Sequence, residues 1–172
     1  MFTLDPTAAL WFAIATAPLT AFVCWSDLSK MLIYNKTVLL LMAVFFCIAP
    51  FVLPWNVIAW QALYAMIALV IVFLLTSFGI LGAGDSKFIA AAALYIMPSD
   101  WPMIMPSDWP MVALLLAATT IAAVIIHRGA PALGAAKLTP EWESWARAKD
   151  FPFGLALGPT LSFYLILSAL GA

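Results

Sequence analysis

Charge is scarce in this chain. Aspartate, glutamate, lysine and arginine together make up 9% of its 172 residues, where a soluble domain carries about 25%. That is too little to cover a water-exposed surface, so an ordinary soluble domain is excluded. The seven basic residues form no tract and the formal net charge is −1, so nothing points to nucleic acid. Histidine occurs once, as His127. A His-Glu-x-x-His zinc helix is therefore absent, and a Ser-His-Asp triad would have to use that one ring. At the end of an apolar run, His127 reads as an interfacial or capping residue. The only cysteines, Cys24 and Cys47, lie in apolar runs without metal or redox spacing and read as small buried residues. No metal or cofactor is implied. The first apolar run also lacks the basic flank of a cleaved signal peptide, so it is expected to stay as a helix.

What is present is hydrophobic: 66% of the residues, with a mean hydropathy of +1.10. A bilayer crossing needs about 20 mostly apolar residues. Six runs qualify as expected spans, at residues 6–25, 37–53, 57–78, 88–97, 112–126 and 154–169, the fourth of them short. Pro18 is expected to kink the first. The basic residues Lys30, Lys36, Lys87, Arg128, Lys137, Arg147 and Lys149 then all fall in the first, third and fifth loops. By the positive-inside rule those loops are cytoplasmic, and both termini lie on the opposite side. The expectation is an all-α, polytopic membrane protein of six transmembrane helices, forming a single domain in the lipid bilayer.

Two polar breaks interrupt the apolar runs. One is Gly82-Ala83-Gly84-Asp85-Ser86-Lys87; the other begins Ser26-Asp27 and runs to Lys36. Ionisable groups near the membrane are costly and mark functional sites by default. Asp27 ends the first expected span and Asp85 precedes the fourth, so both come to the same membrane edge. Two neighbouring carboxylates can share one proton. One then activates water as a general base while the other protonates the leaving group, so peptide hydrolysis can run without metal or cofactor. Lys87 reads as an anchor to lipid phosphate, or as a cation favouring the charged form of the pair. The glycines allow a tight turn or a close approach. The same residues also fit an ion- or proton-coupled transporter, or a non-catalytic subunit of a membrane assembly whose aspartates pair with a partner's lysines.

The remaining features read structurally. Residues 96–103 are repeated at once as 104–111, making Asp100 and Asp108 a pair by duplication, and this reads as a tolerated loop insertion. In the segment from Thr139 to Lys149, Thr139 reads as an N-cap, Pro140 as the first helical residue, and Trp142 and Trp145 as one face of a short surface helix. Gly154 and Gly158 form a small-xxx-small pattern suited to close helix packing.

Gly82-Ala83-Gly84-Asp85 resembles the GxGD motif of intramembrane aspartyl proteases. Asp27, with Ile33 and Asn35 downstream, is similar to the other catalytic segment of the type IV prepilin peptidases, with Tyr34 where that family has proline. Pro152-Phe153-Gly154 resembles the family's Pro-Tyr/Phe-Gly segment. The resemblance implies Asp27 and Asp85 as the catalytic pair, Gly82, Gly84 and Lys87 as the supporting loop, and Asn35, Pro152 and Gly154 as structural support. It implies a bacterial inner-membrane enzyme that removes a prepilin leader at the cytoplasmic face. The large cysteine-rich insertion linked to N-methylation is missing, so the chain resembles the short, peptidase-only branch that serves Flp-type pili.

Overall fold

The computed structural model describes residues 2–97, 111–147 and 150–171. Among these the chain is all-helical: α1 (Pro6–Lys30), α2 (Asn35–Val52), α3 (Trp55–Ser77), α4 (Ala83–Ala92), α5 (Met111–Gly129), α6 (Ala135–Leu138), α7 (Glu143–Ala146) and α8 (Gly154–Ala169). Four of them, α1, α2, α3 and α5, are long and apolar enough to cross a membrane. The chain is thus an all-α polytopic membrane protein. The other two expected spans correspond to α4, with 10 residues, and α8, with 16. At 1.5 Å per residue they measure about 15 and 24 Å, short of a hydrocarbon core of about 30 Å.

Local chemistry explains where α1 starts and stops. Asp5 caps it, accepting the Ala8 amide at 3.0 Å, and Pro6 supplies the first helical φ. The helix runs on past Pro18. Polar side chains inside it satisfy themselves on the backbone: Thr16 donates to the Phe12 carbonyl at 2.8 Å and Thr20 to the Ala17 carbonyl at 3.0 Å. Lys30 sits in the last turn, favourable to the helix dipole, and Met31 leaves it in the left-handed region at φ 50°.

This corrects the expected first loop. Residues 26–30 are the final turns of α1, and only residues 31–34 connect it to α2. No glycine or proline interrupts that stretch, and Ser26 and Ser29 bond back to the carbonyls of Val23 and Ser26. Polar residues there are compatible with a buried helix because their hydroxyls find partners within it.

Helix α1 lies along α8, which also packs on α5; α4 packs on α3 and α2. The seams carry hydroxyl pairs. Thr20 of α1 meets Ser162 of α8 at 2.8 Å, and Thr119 of α5 meets Thr160 of α8 at 2.7 Å. Such interhelical bonds contribute about 0.6 kcal/mol each inside a bilayer. The core is aromatic. Phe12 stacks on Phe45 with centroids 5.5 Å apart, and Tyr95 meets both rings edge-on while its hydroxyl donates to the Leu41 carbonyl at 2.7 Å. Outward-facing Met66, Val70 and Phe73 of α3 and Ile121 and Ile125 of α5 are exposed apolar residues, as a lipid-facing surface requires. Cys47 joins them, exposed rather than buried as expected, while Cys24 is half-buried.

The expected surface helix from Thr139 is also replaced. Thr139 ends α6, and Trp142 precedes α7. The Thr139 hydroxyl donates to the Ala135 carbonyl and accepts the Trp145 indole N–H, each at 3.1 Å, so it does not cap a following helix. Trp142 and Trp145 do share a face, stacked 6.0 Å apart. Asp100, Asp108 and Lys149 lie outside the described residues.

Candidate active site

Asp27 sits one turn before the end of α1 and is 6% exposed. Its Oδ2 accepts the backbone N–H of Gly154 at 2.6 Å. Gly154 is the first residue of α8, so the carboxylate rests on the positive end of that helix. The approach needs glycine. A Cβ at position 154 would lie 2.9 Å from Asp27 Oδ2 and 3.0 Å from Asp27 Cβ. Pro152 is buried just before it and fixes the backbone as the chain enters α8. Gly154 thus receives Asp27, while Gly158, one turn on, receives α1 itself: a Cβ there would meet Cys24 Sγ at 2.7 Å and the Thr20 carbonyl oxygen at 2.9 Å.

Asp85 is carried by α4. Helix α4 begins at Ala83, with Gly82 as N-cap, so Asp85 lies in its first turn rather than in a loop ahead of it. Its carboxylate folds back over Gly82, where a Cβ would come within 2.7 Å of Oδ2. Gly84 packs on the α1–α2 connection, 3.3 Å from Ile33 Cβ by the same measure. Burial raises the Asp85 carboxyl first, and the nearby Asp27 charge raises it further, to about 6. The two acids, 58 positions apart in the chain, therefore lie within electrostatic reach of each other.

Three neighbours of the aspartates carried no signal of their own in the sequence. Cys24, one turn before Asp27, places its Sγ 3.5 Å from the Gly154 carbonyl oxygen. Ser86 is buried, donates to the Gly82 carbonyl at 3.0 Å, and pairs with the Thr76 hydroxyl of α3, fixing the first turn of α4. Hydroxyls next to a motif residue in a polar stretch look like solvated loop residues until the packing partner is known.

Lys87 is directed elsewhere. Its Nζ donates to Asn35 Oδ1 at 3.0 Å. Two residues on a helix are about 200° apart, so Lys87 leaves α4 on the side away from Asp85. There it lines, with Asn35, Met42 and Met66, an apolar groove of about 440 Å³ between α2, α3 and α4. Asn35 and Lys87 thus form a brace between α2 and α4; among the described residues the ion pair formed is Arg147–Glu143, not one of Lys87 with either aspartate. Among the described residues, no three metal-ligating side chains converge.

A pair of carboxyl groups at helix ends, Asp27 resting on a backbone N–H and Asp85 in the first turn of α4, can hold a proton and accept one. Searches among curated proteins and among solved structures return no match. Residues 13–127, which include Asp27 and the whole Gly82–Lys87 stretch, match the sequence profile of the type IV leader peptidase family, and the chain belongs to that family of membrane peptidases.

Proposed function

We propose that the protein is an aspartic endopeptidase that removes the leader of a type IV prepilin, of the Flp type, at the cytoplasmic face of a bacterial inner membrane. Asp27 and Asp85 are its catalytic pair. The observation that carries this reading is that Asp27, buried against the start of α8, lies close enough to Asp85 in the first turn of α4 for its charge to add to the effect of burial in raising the Asp85 carboxyl. In this scheme α4 and α8 complete a six-helix arrangement with both termini on the far side.

The chemistry follows from the environments. Asp27 Oδ2 is occupied by the Gly154 amide, which leaves its second oxygen to accept a proton from water. Asp85, with a pKa about 6, carries the proton that the substrate carbonyl or the leaving amine needs. The charge of Asp27 favours the protonated form of Asp85. The substrate is a membrane helix whose amides are hydrogen-bonded within it. It must be bound near its polar leader, where the chain can unwind. Gly82 and Gly154 leave room for the carboxylates of Asp85 and Asp27, and Gly84 lets the start of α4 pack on Ile33; Lys87, Asn35 and Pro152 support those ends.

Leader cleavage in membranes tests the proposal. Prepilin co-expressed with wild type should shift in mobility, and Asp27→Asn and Asp85→Asn should each lower cleavage by at least about 10²-fold, the lower range for a positioned acid or base. Either variant cutting at the wild-type rate while folded and inserted would refute the pair. An ion-coupled transporter would show cation-dependent flux and leave prepilin uncut.

A further inference from the structure

Away from the aspartates, at the end of α5, lies a second polar site. A cavity of about 350 Å³ is lined by His127, Arg128, Ser144, Trp145, Asp150 and Phe151. Two of its polar atoms are buried without a partner: Ser144 Oγ, on a residue only 1% exposed, and His127 Nε2. A buried polar group without a hydrogen bond is costly, and native structures seldom leave one. The imidazole is held in place, stacked on Trp145 at 4.9 Å and met edge-on by Phe151 at 5.9 Å. Its orphan nitrogen is therefore fixed by ring packing. The space is well above the about 10–15 Å³ that one water needs, so a single bridging water does not account for it.

The charges narrow the ligand. Arg128 and Asp150 both line the cavity, yet among the described residues the ion pair formed is Arg147–Glu143. One cation and one anion thus face the same space without neutralising each other. A ligand matching this set carries both signs: an anionic oxygen group for Arg128, Ser144 and His127, and an ammonium for Asp150. The site lies at the end of a candidate membrane span, beside the stacked Trp142 and Trp145, and tryptophan favours the headgroup layer. We propose that this cavity binds the phosphoethanolamine headgroup of a zwitterionic phospholipid. Its phosphate takes the Arg128 end and its ammonium the Asp150 end. The acyl chains lie along the exposed apolar face of α5. Binding there would also brace the segment from Asp150 to Gly154 that leads to Asp27.

Native mass spectrometry of the full chain released from vesicles tests this without using activity. Vesicles would hold equal parts phosphatidylethanolamine, phosphatidylcholine and phosphatidylglycerol. The expected result is one phosphatidylethanolamine retained in preference to the other two. Phosphatidylcholine keeps the phosphate but its trimethylated ammonium cannot donate to Asp150; phosphatidylglycerol lacks the cation. Arg128→Gln and Asp150→Asn, both at exposed positions, should each weaken retention about tenfold, the effect of losing one charge-assisted hydrogen bond. Ser144→Ala should weaken it less. Equal retention of all three lipids, or unchanged retention in both charge variants, would overturn the proposal. So would displacement of the lipid by a prepilin leader peptide, which would make this a peptide site. Displacement by soluble phosphoethanolamine at matched concentration would show a free-headgroup site and overturn the lipid assignment.

Discussion

Replacing Gly154 with alanine adds one methyl group at the point where α8 meets Asp27. The new Cβ would sit 2.9 Å from Asp27 Oδ2, 3.0 Å from its Cβ and 3.2 Å from its Cγ. Unstrained contacts between carbon atoms lie at about 3.5–4.0 Å. The carboxylate must therefore retreat by several tenths of an ångström, and the 2.6 Å bond from the Gly154 amide breaks or lengthens. A hydrogen bond to a charged group contributes about 1.5–3 kcal/mol. If Asp27 is the base, that loss slows cleavage by about 10- to 150-fold. Gly129→Ala is the control, because no atom lies within 4 Å of a Cβ there. The assay is prepilin cleavage in membranes, with thermal unfolding of the purified variants alongside. Gly154→Ala should lose most of its cleavage rate while remaining folded, and Gly129→Ala should match wild type. Cleavage by Gly154→Ala within about twofold of wild type would mean that the amide contact does not position a catalytic base.

Titration of Asp85 gives a second test. With its pKa raised to about 6, the carboxyl stays protonated where exposed carboxylates are ionised. Labelling by a water-soluble carbodiimide, read by peptide mass spectrometry, should fall as pH rises through about 6. Asp27→Asn should move that midpoint down, because the Coulombic part of the shift disappears; an unmoved midpoint would separate the two acids. The same raised value means that Asp85 favours the folded state below the unfolded carboxylate range and loses that contribution as pH rises through about 6, so Asp85→Asn should flatten stability between pH 4 and 7, read as Tm. Lys87→Met removes the bond to Asn35. Its effect on cleavage should stay below about fivefold, an exposed hydrogen bond contributing about 1 kcal/mol; a loss as deep as Asp85→Asn would place Lys87 in the chemistry.

The long apolar helices were legible because nothing competes with their pattern. About 20 hydrophobic residues bounded by polar or proline-containing turns have few other folds, and α2, α3 and α5 lie within a few residues of the expected spans. The polar ends were harder. Residues 26–30 looked like a loop because serine, aspartate and lysine in a membrane chain usually mean water. The structure keeps them helical because Asp27 rests on the start of α8 and the serine hydroxyls bond to carbonyls one turn back. Asp85 was expected before its helix and lies within it, since Gly82 caps α4 and the Ser86 hydroxyl closes the first turn. The approach of Gly154 to Asp27 spans 127 positions, and no local pattern states such a pairing. The spacing of Gly154 and Gly158 showed a face for close packing but not what would occupy it.

That occupant ties the site to the fold. Gly154, Gly158 and Ser162 repeat every four residues on α8 and meet Asp27, then Cys24 and Thr20, then Thr20 again. The two helices run antiparallel, and moving up α8 moves down α1. A slip of one turn, about 5.4 Å, would set Gly158 against Asp27 and break the Gly154 bond. The position of the carboxylate is therefore fixed by the register of the whole seam as well as by its own end of the helix. Gly158→Ala tests this from a distance. Its Cβ would lie 2.7 Å from Cys24 Sγ and 2.9 Å from the Thr20 carbonyl oxygen. A side chain can turn aside, but a carbonyl inside a helix cannot, so the helices must separate at a cost of about 1–3 kcal/mol. The expected result is a lower Tm and, through the displaced register, a lower cleavage rate. Adding Cys24→Ala removes the sulfur clash and leaves the carbonyl clash, so it should restore stability only in part. Full rescue by Cys24→Ala would show that the sulfur alone sets the spacing. An unchanged Tm in Gly158→Ala would show that α1 and α8 are not held this closely, and that Asp27 owes its place to some other contact.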